Sequence, residues 1–75
     1  MPKNQEHIVV YVNDLPVEIY RGMHVKHALI SCSHELYRAV LEGDLIVKDE
    51  NGFPVGIEGS LCDGSRLFTV KRENP

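Results

Sequence analysis

His24, His27, Cys32 and His34 are the residues of this chain whose types could do chemistry at close quarters. Imidazole nitrogens and thiolates are zinc ligands, and a thiol beside an imidazole is the start of a nucleophilic site. His24 and His27 are three apart, so on a helix they occupy neighbouring surface positions. Zinc also needs side chains that converge. Val25, Ala28, Leu29 and Cys32 fall at i, i+3, i+4 and i+7, an apolar stripe that sends Cys32 to a core while the imidazoles point elsewhere. The spacing follows no common zinc pattern, and solvent-facing histidines account for it. His24, His27 and His34 are the metal candidates of an alternative reading, a histidine-cluster metal-binding protein. The main reading expects no metal and no cofactor.

Nucleophilic catalysis would need Cys32 or Cys62 beside a base and an orienting group. Ser31-Cys32-Ser33-His34 holds those residue types, but adjacency in sequence is not hydrogen-bond reach, and Ser33 suits a helix cap. Asp49 and Glu50 belong to a turn, where carboxylates are solvated. Gly56, Gly59 and Gly64 are spaced for bends, with no Lys-Ser or Lys-Thr behind them to hold a phosphate. A chain of 75 residues has a thin core, with little room for a pocket of about 300 Å³ or more. No enzyme is expected.

The elements that would position these residues follow from periodicity. His7 to Val12 is β-branched and aromatic and reads as a strand. Asn13-Asp14-Leu15-Pro16 supplies turn formers, Val17 to Tyr20 a second, antiparallel strand, and Gly22 its end. The main helix starts near His24, a weak N-cap. A short second helix runs from His34 to Glu42, capped by Ser33, with Leu36, Val40, Tyr37 and Leu41 facing inward and Gly43 at C′. Period two returns at Leu45 to Lys48, and Asn51-Gly52 marks a hairpin because glycine accepts positive φ. Val55 and Ile57 read as a short edge strand, and Arg66 to Lys71 as the last strand. Residues 1–6 and 73–75 are polar and read as flexible ends. The whole chain, 1–75, reads as one α+β domain with a mixed sheet.

The stretch Val10-Tyr11-Val12-Asn13-Asp14-Leu15-Pro16-Val17-Glu18-Ile19, with Gly22, Val25 and Leu29, resembles the opening of two β-grasp (ubiquitin-like) groups. One is the sulfur-carrier proteins of thiamin and molybdopterin synthesis. The other is the N-terminal iron–sulfur domain of hydrogenase and complex-I-type subunits. Leu61-Cys62-Asp63-Gly64-Ser65-Arg66-Leu67 is similar to the carriers' penultimate turn and final strand. The resemblance implies a β-grasp fold, since its motifs are packing and turn residues. Carrier chemistry requires a terminal Gly-Gly carboxylate, whereas this sequence holds no Gly-Gly and ends Arg72-Glu73-Asn74-Pro75. A plant-type cluster requires four thiolates, and the sequence has Cys32 and Cys62. A diverged sulfur or cofactor carrier of the thiamin or molybdopterin type is the second alternative.

Strand alternation points to a surface instead. If Val10, Val12, Val17, Ile19, Leu67 and Thr69 face the helix, then Val9, Tyr11, Tyr20, Phe68 and Val70 share the opposite face. A solvated sheet face is normally polar, and an apolar patch there marks an association surface, as on ubiquitin. The opposite phase of the last strand would put Phe68 and Val70 in the core. The reading is a non-catalytic interaction module that binds a protein partner, or a second copy of itself, through this face.

Charge excludes one partner class. Net charge is −3, and Lys3, Arg21, Lys26, Arg38, Lys48, Arg66, Lys71 and Arg72 never form a run longer than two. A protein that tracks phosphates concentrates its cations, so no nucleic acid is expected. The longest apolar run, Ile8 to Val12, is far short of a bilayer span, so no membrane is expected. The absence of a signal-peptide pattern leads to an expectation of cytoplasmic location. Two cysteines in different elements, without a Cys-x-x-Cys, read as reduced thiols.

Overall fold

Two residues in left-handed backbone, Asn13 and Asp14 at φ 52° and 70°, fold the first hairpin. A two-residue loop with both φ values positive is the turn whose twist matches the flanking strands. The computed structural model describes residues 6–72. It shows β1 (His7–Val12), β2 (Leu15–Tyr20), α1 (Val25–Cys32), α2 (His34–Leu41), β3 (Leu45–Asp49) and β4 (Arg66–Lys71). The sheet order is β2-β1-β4-β3, with β1 and β4 parallel and the outer pairs antiparallel. The described residues form a small α+β fold with a four-stranded mixed sheet and two helices.

The core is apolar throughout. Ile8, Val10 and Val12 of β1, Val17 and Ile19 of β2, Val47 of β3 and Leu67 of β4 are buried under Val25, Ala28 and Leu29 of α1. Cys32, Leu36, Tyr37, Val40, Val55, Ile57 and Leu61 pack around it, half-buried. Asn13 extends the β1–β4 ladder past the end of β1. Its Nδ2 donates to Thr69 Oγ1 at 2.9 Å, and its Oδ1 accepts from Thr69 N–H at 3.0 Å.

Several sequence expectations are corrected. The first turn is shorter than expected, since β2 already starts at Leu15 and contains Pro16. The helices are equal at eight residues each, so neither is the main one by length. Leu41 is exposed rather than inward, because it lies one residue, about 100° of helix rotation, beyond inward-facing Val40. The hairpin expected at Asn51-Gly52 is present at 49–53, with Gly52 at positive φ. Gly52 N–H donates to Asp49 O and Asp49 N–H to Phe53 O, giving the three-residue loop closed by a left-handed glycine.

Val55 and Ile57 form no strand. Beyond a single bridge from Pro54 to Lys48, the chain leaves β3 and crosses to the start of α1. There Ile57 O and Gly59 O accept the N–H groups of Lys26 and Val25, two of the donors a helix start leaves unpaired. Of the expected flexible ends, residues 1–5 and 73–75 lie outside the described residues. Glu6 is tied in, its carbonyl accepting from Arg21 N–H at 2.6 Å.

Candidate functional site: the sheet face away from the helices

Backbone pairing fixes which side chains share the outer face. On β1, the buried residues are Ile8, Val10 and Val12, so His7, Val9 and Tyr11 face away from the helices. Register carries that face to Tyr20, Glu18 and Pro16 of β2, to Arg66 and then Phe68 and Val70 of β4, and to Lys48 and Ile46 of β3. The five residues named from alternation therefore lie on one side. Tyr20 is 53% exposed and Val9 and Val70 are each 37% exposed, while Tyr11 and Phe68 are half-buried.

The same register makes these residues a diagonal stripe rather than a disc. Tyr20 is diagonal to Val9, Val9 precedes Tyr11 on the same face of β1, Tyr11 is diagonal to Phe68, and Val70 follows on β4. Diagonal neighbours on a sheet remain within reach of aromatic side chains. Ile46, opposite Val70, widens the far end. Glu18, Arg66 and Lys48 border the stripe at successive steps. Arg66 lies over the Tyr11 ring at 5.1 Å and reaches Asp14 at 3.5 Å, which accounts for part of Tyr11's cover. His7 packs on Tyr20 with ring centroids 4.4 Å apart.

The histidines are placed differently. His24 and His27 lie with ring centroids 5.7 Å apart at the start of α1, and His34 opens α2 on an exposed position. His27 Nδ1 accepts His24 N–H at 2.9 Å, so that nitrogen already serves the helix terminus. Lys26 Nζ sits between them in sequence and binds Glu58 Oε2 at 2.8 Å, while His24 Nδ1 is 3.6 Å from Glu58 Oε1. The Lys26 ammonium holds the Glu58 carboxyl below its ordinary pKa, chiefly through that hydrogen bond, and Glu58 in turn raises Lys26. Among the described residues, no three His, Cys, Asp or Glu side chains are grouped to hold a metal ion.

A surface concavity corrects the expectation that so small a fold has little room for a pocket. An open cleft of about 400 Å³ lies between the 49–51 turn and the 59–67 segment. Its chemistry-bearing groups are occupied in shaping loops. Asp49 Oδ1 accepts from Asn51 and Phe53 N–H, and Asp63 Oδ1 accepts from Val9 N–H at 2.8 Å. Ser65 Oγ accepts Cys62 N–H at 3.1 Å, with Cys62 Sγ 3.6 Å away. Neither cysteine is bonded to the other. Cys62 lines the cleft, and no histidine does.

No family model, curated protein or solved structure matches the chain. Among the described residues, no helix is long and apolar enough to cross a membrane. Sequence reasoning omitted Ile46 from the stripe, although its alternation with buried Val47 placed it on the outer face. It also omitted Glu58, whose tie to Lys26 spans 32 residues and leaves no local signal.

Proposed function

We propose that the chain is a non-catalytic β-grasp interaction module that binds a protein partner through the stripe Tyr20–Val9–Tyr11–Phe68–Val70. One observation carries the reading. Apolar and aromatic side chains cross the sheet face that the helices leave uncovered, and charges of both signs line their path. A solvated sheet face is normally polar, and an apolar core with a polar rim is the anatomy of an interface. Tyr11 and Tyr20 suit such a surface, having a large apolar ring and a hydroxyl able to bond at the rim. The order strand, strand, helices, strand, strand about a mixed sheet supports the β-grasp part of the reading.

The test uses the double substitution Tyr11→Ser with Phe68→Ser, its fold checked by circular dichroism. Affinity capture from the native host is run beside a control variant on the helix side, Glu35→Gln. The reading expects a partner retained by wild type and control and lost by the double variant. Identical partners captured by all three folded proteins would refute it.

A further inference from the structure

The sheet has two edges, and they are finished differently. Along β3, residues 53–55 return over the strand, with Val55 N–H bonding Val47 O at 2.9 Å and Asp49 N–H bonding Phe53 O at 2.8 Å. Along β2, no described strand follows.

Which backbone groups β2 presents can be worked out from β1. Val9 O accepts from Gly64 N–H, Tyr11 N–H donates to Ser65 O, and Asn13 N–H donates to Leu67 O, so odd-numbered β1 residues turn toward β4. Even-numbered residues turn toward β2 and pair with Leu15, Val17 and Ile19. Pro16, Glu18 and Tyr20 are left facing outward. Pro16 has only a carbonyl to offer, and Glu18 has both groups. Tyr20 has its N–H to spare, while its carbonyl already accepts Met23 N–H at 3.2 Å and does not need a second donor.

We infer that this edge pairs with a second copy of itself, antiparallel, about a two-fold axis at Glu18. In that register Glu18 N–H and C=O exchange two bonds with the other Glu18, and each Tyr20 N–H meets the other copy's Pro16 carbonyl. Pro16, which lacks an N–H, then stands opposite Tyr20, whose carbonyl needs none. Every group on the edge is used, and none is left over. An unrelated extended strand would bring an N–H against the occupied Tyr20 carbonyl and a carbonyl against the missing Pro16 N–H. The backbone itself thus selects its own kind, in the isologous geometry of a two-fold dimer.

Space and side chains allow it. An open groove of about 420 Å³, lined by Leu15, Pro16, Val17, Glu18, Ser31 and Cys32, runs between this edge and α1. Leu15 and Tyr20, both exposed, flank the ladder. The two Glu18 carboxylates meet on the outer face, and like charges directly opposite weaken a pair. The result is a weak dimer with a fixed register, an eight-stranded sheet that carries two copies of the outer stripe.

Charge exchange at the axis is the test. Wild-type chain, Glu18→Lys chain and an equimolar mixture are followed by sedimentation equilibrium, with amide hydrogen exchange on each. The expected result is that the mixture associates roughly tenfold more tightly than either parent, because unlike charges replace like ones. The Glu18 and Tyr20 amides should gain protection as concentration rises, and a Glu18→Pro chain should stay monomeric. Equal association in all three samples, association without protection of those two amides, or a mixture that remains monomeric at millimolar concentration would each overturn the inference. So would a lysine-bearing extended peptide that protects both amides while the chain itself shows no pairing.

Discussion

The two helices are the same length and are held by different means. α1 has no acidic residue in its first turn, no basic residue in its last, and histidine at its N-cap. The N–H groups of Val25 and Lys26 are satisfied from a distance, by Gly59 O and Ile57 O, and only that of His24 is met locally, by the ring of His27. What fixes it is burial, since Val25, Ala28 and Leu29 are all at 1% exposure or less. α2 buries no residue completely, yet its ends are fully specified by local sequence. Ser33 Oγ accepts Leu36 N–H, Glu35 and Arg38 complement the helix dipole, and Gly43 ends it. Gly43 N–H bonds Val40 O and Asp44 N–H bonds Ala39 O, the paired bonds of a Schellman ending. The difference teaches that intrinsic helix signals are strongest where packing contributes least.

The largest expected effect comes from attacking α1 in its core. Leu29→Ala removes a fully buried side chain from beneath the sheet and should cost about 2–5 kcal/mol. A domain of this size has a total stability of only about 3–5 kcal/mol, so the variant should be largely unfolded at 37 °C. Chemical denaturation followed by circular dichroism measures it. A loss below about 0.5 kcal/mol, the range of neutral surface changes, would mean that α1 does not depend on burial.

This contrast also explains what the sequence could and could not reveal. The stripe Val25, Ala28, Leu29 and the alternations in β1, β2 and β4 were legible, because a buried face imposes its period on the residues that build it. Ser33 and Gly43 were legible, because caps depend on residue type within a few positions. The path of residues 53–60 was not. Val55 and Ile57 alternate like a strand, but their segment satisfies the α1 amides, and nothing in its own composition reports that demand. The outer stripe was legible as a set of residues, while its diagonal shape required the parallel register of β1 with β4. Nor could the groups left over on β2 be read before the sheet order was known, since an edge is a property of the whole sheet.

A middle-sized effect should follow from attacking the local signals of α2. Gly43 sits at φ +89°, where an alanine is strained by about 1–2 kcal/mol. An added Cβ would approach only the tip of the flexible Arg72 side chain, at 3.4 Å, so the backbone angle and not crowding sets the cost. Gly43→Ala should therefore lower the denaturation midpoint without changing the slope. Beyond the global loss of protection that every core amide shares, additional hydrogen exchange should appear in the last turn of α2 and not in α1. If α1 amides loosen equally, the two helices form one cooperative unit and the contrast between them fails.

The smallest effect concerns a long-range ionic tie of α1, from Lys26 to Glu58 at 2.8 Å. Glu58 has its pKa lowered, so the stability it contributes is present above its ordinary value of 4.5 and is lost as pH falls through the lower, folded value. Lys26 has its pKa raised, so its contribution is present below its ordinary 10.5 and is lost as pH rises through the higher, folded value. Between those limits the tie is constant. The Glu58 side chain is 66% exposed, and water and salt screen such a pair strongly. Glu58→Gln should thus lower the thermal midpoint slightly at pH 7, by less than Gly43→Ala does. The gap should close in molar salt and again in acid, once the wild-type carboxylate is protonated. The carbonyls of Ile57 and Gly59 remain bonded to α1 in either case, which is why the helix should not detach. A midpoint drop as large as that of Leu29→Ala, or one indifferent to salt, would instead make this exposed pair a principal anchor of α1, in place of its buried face.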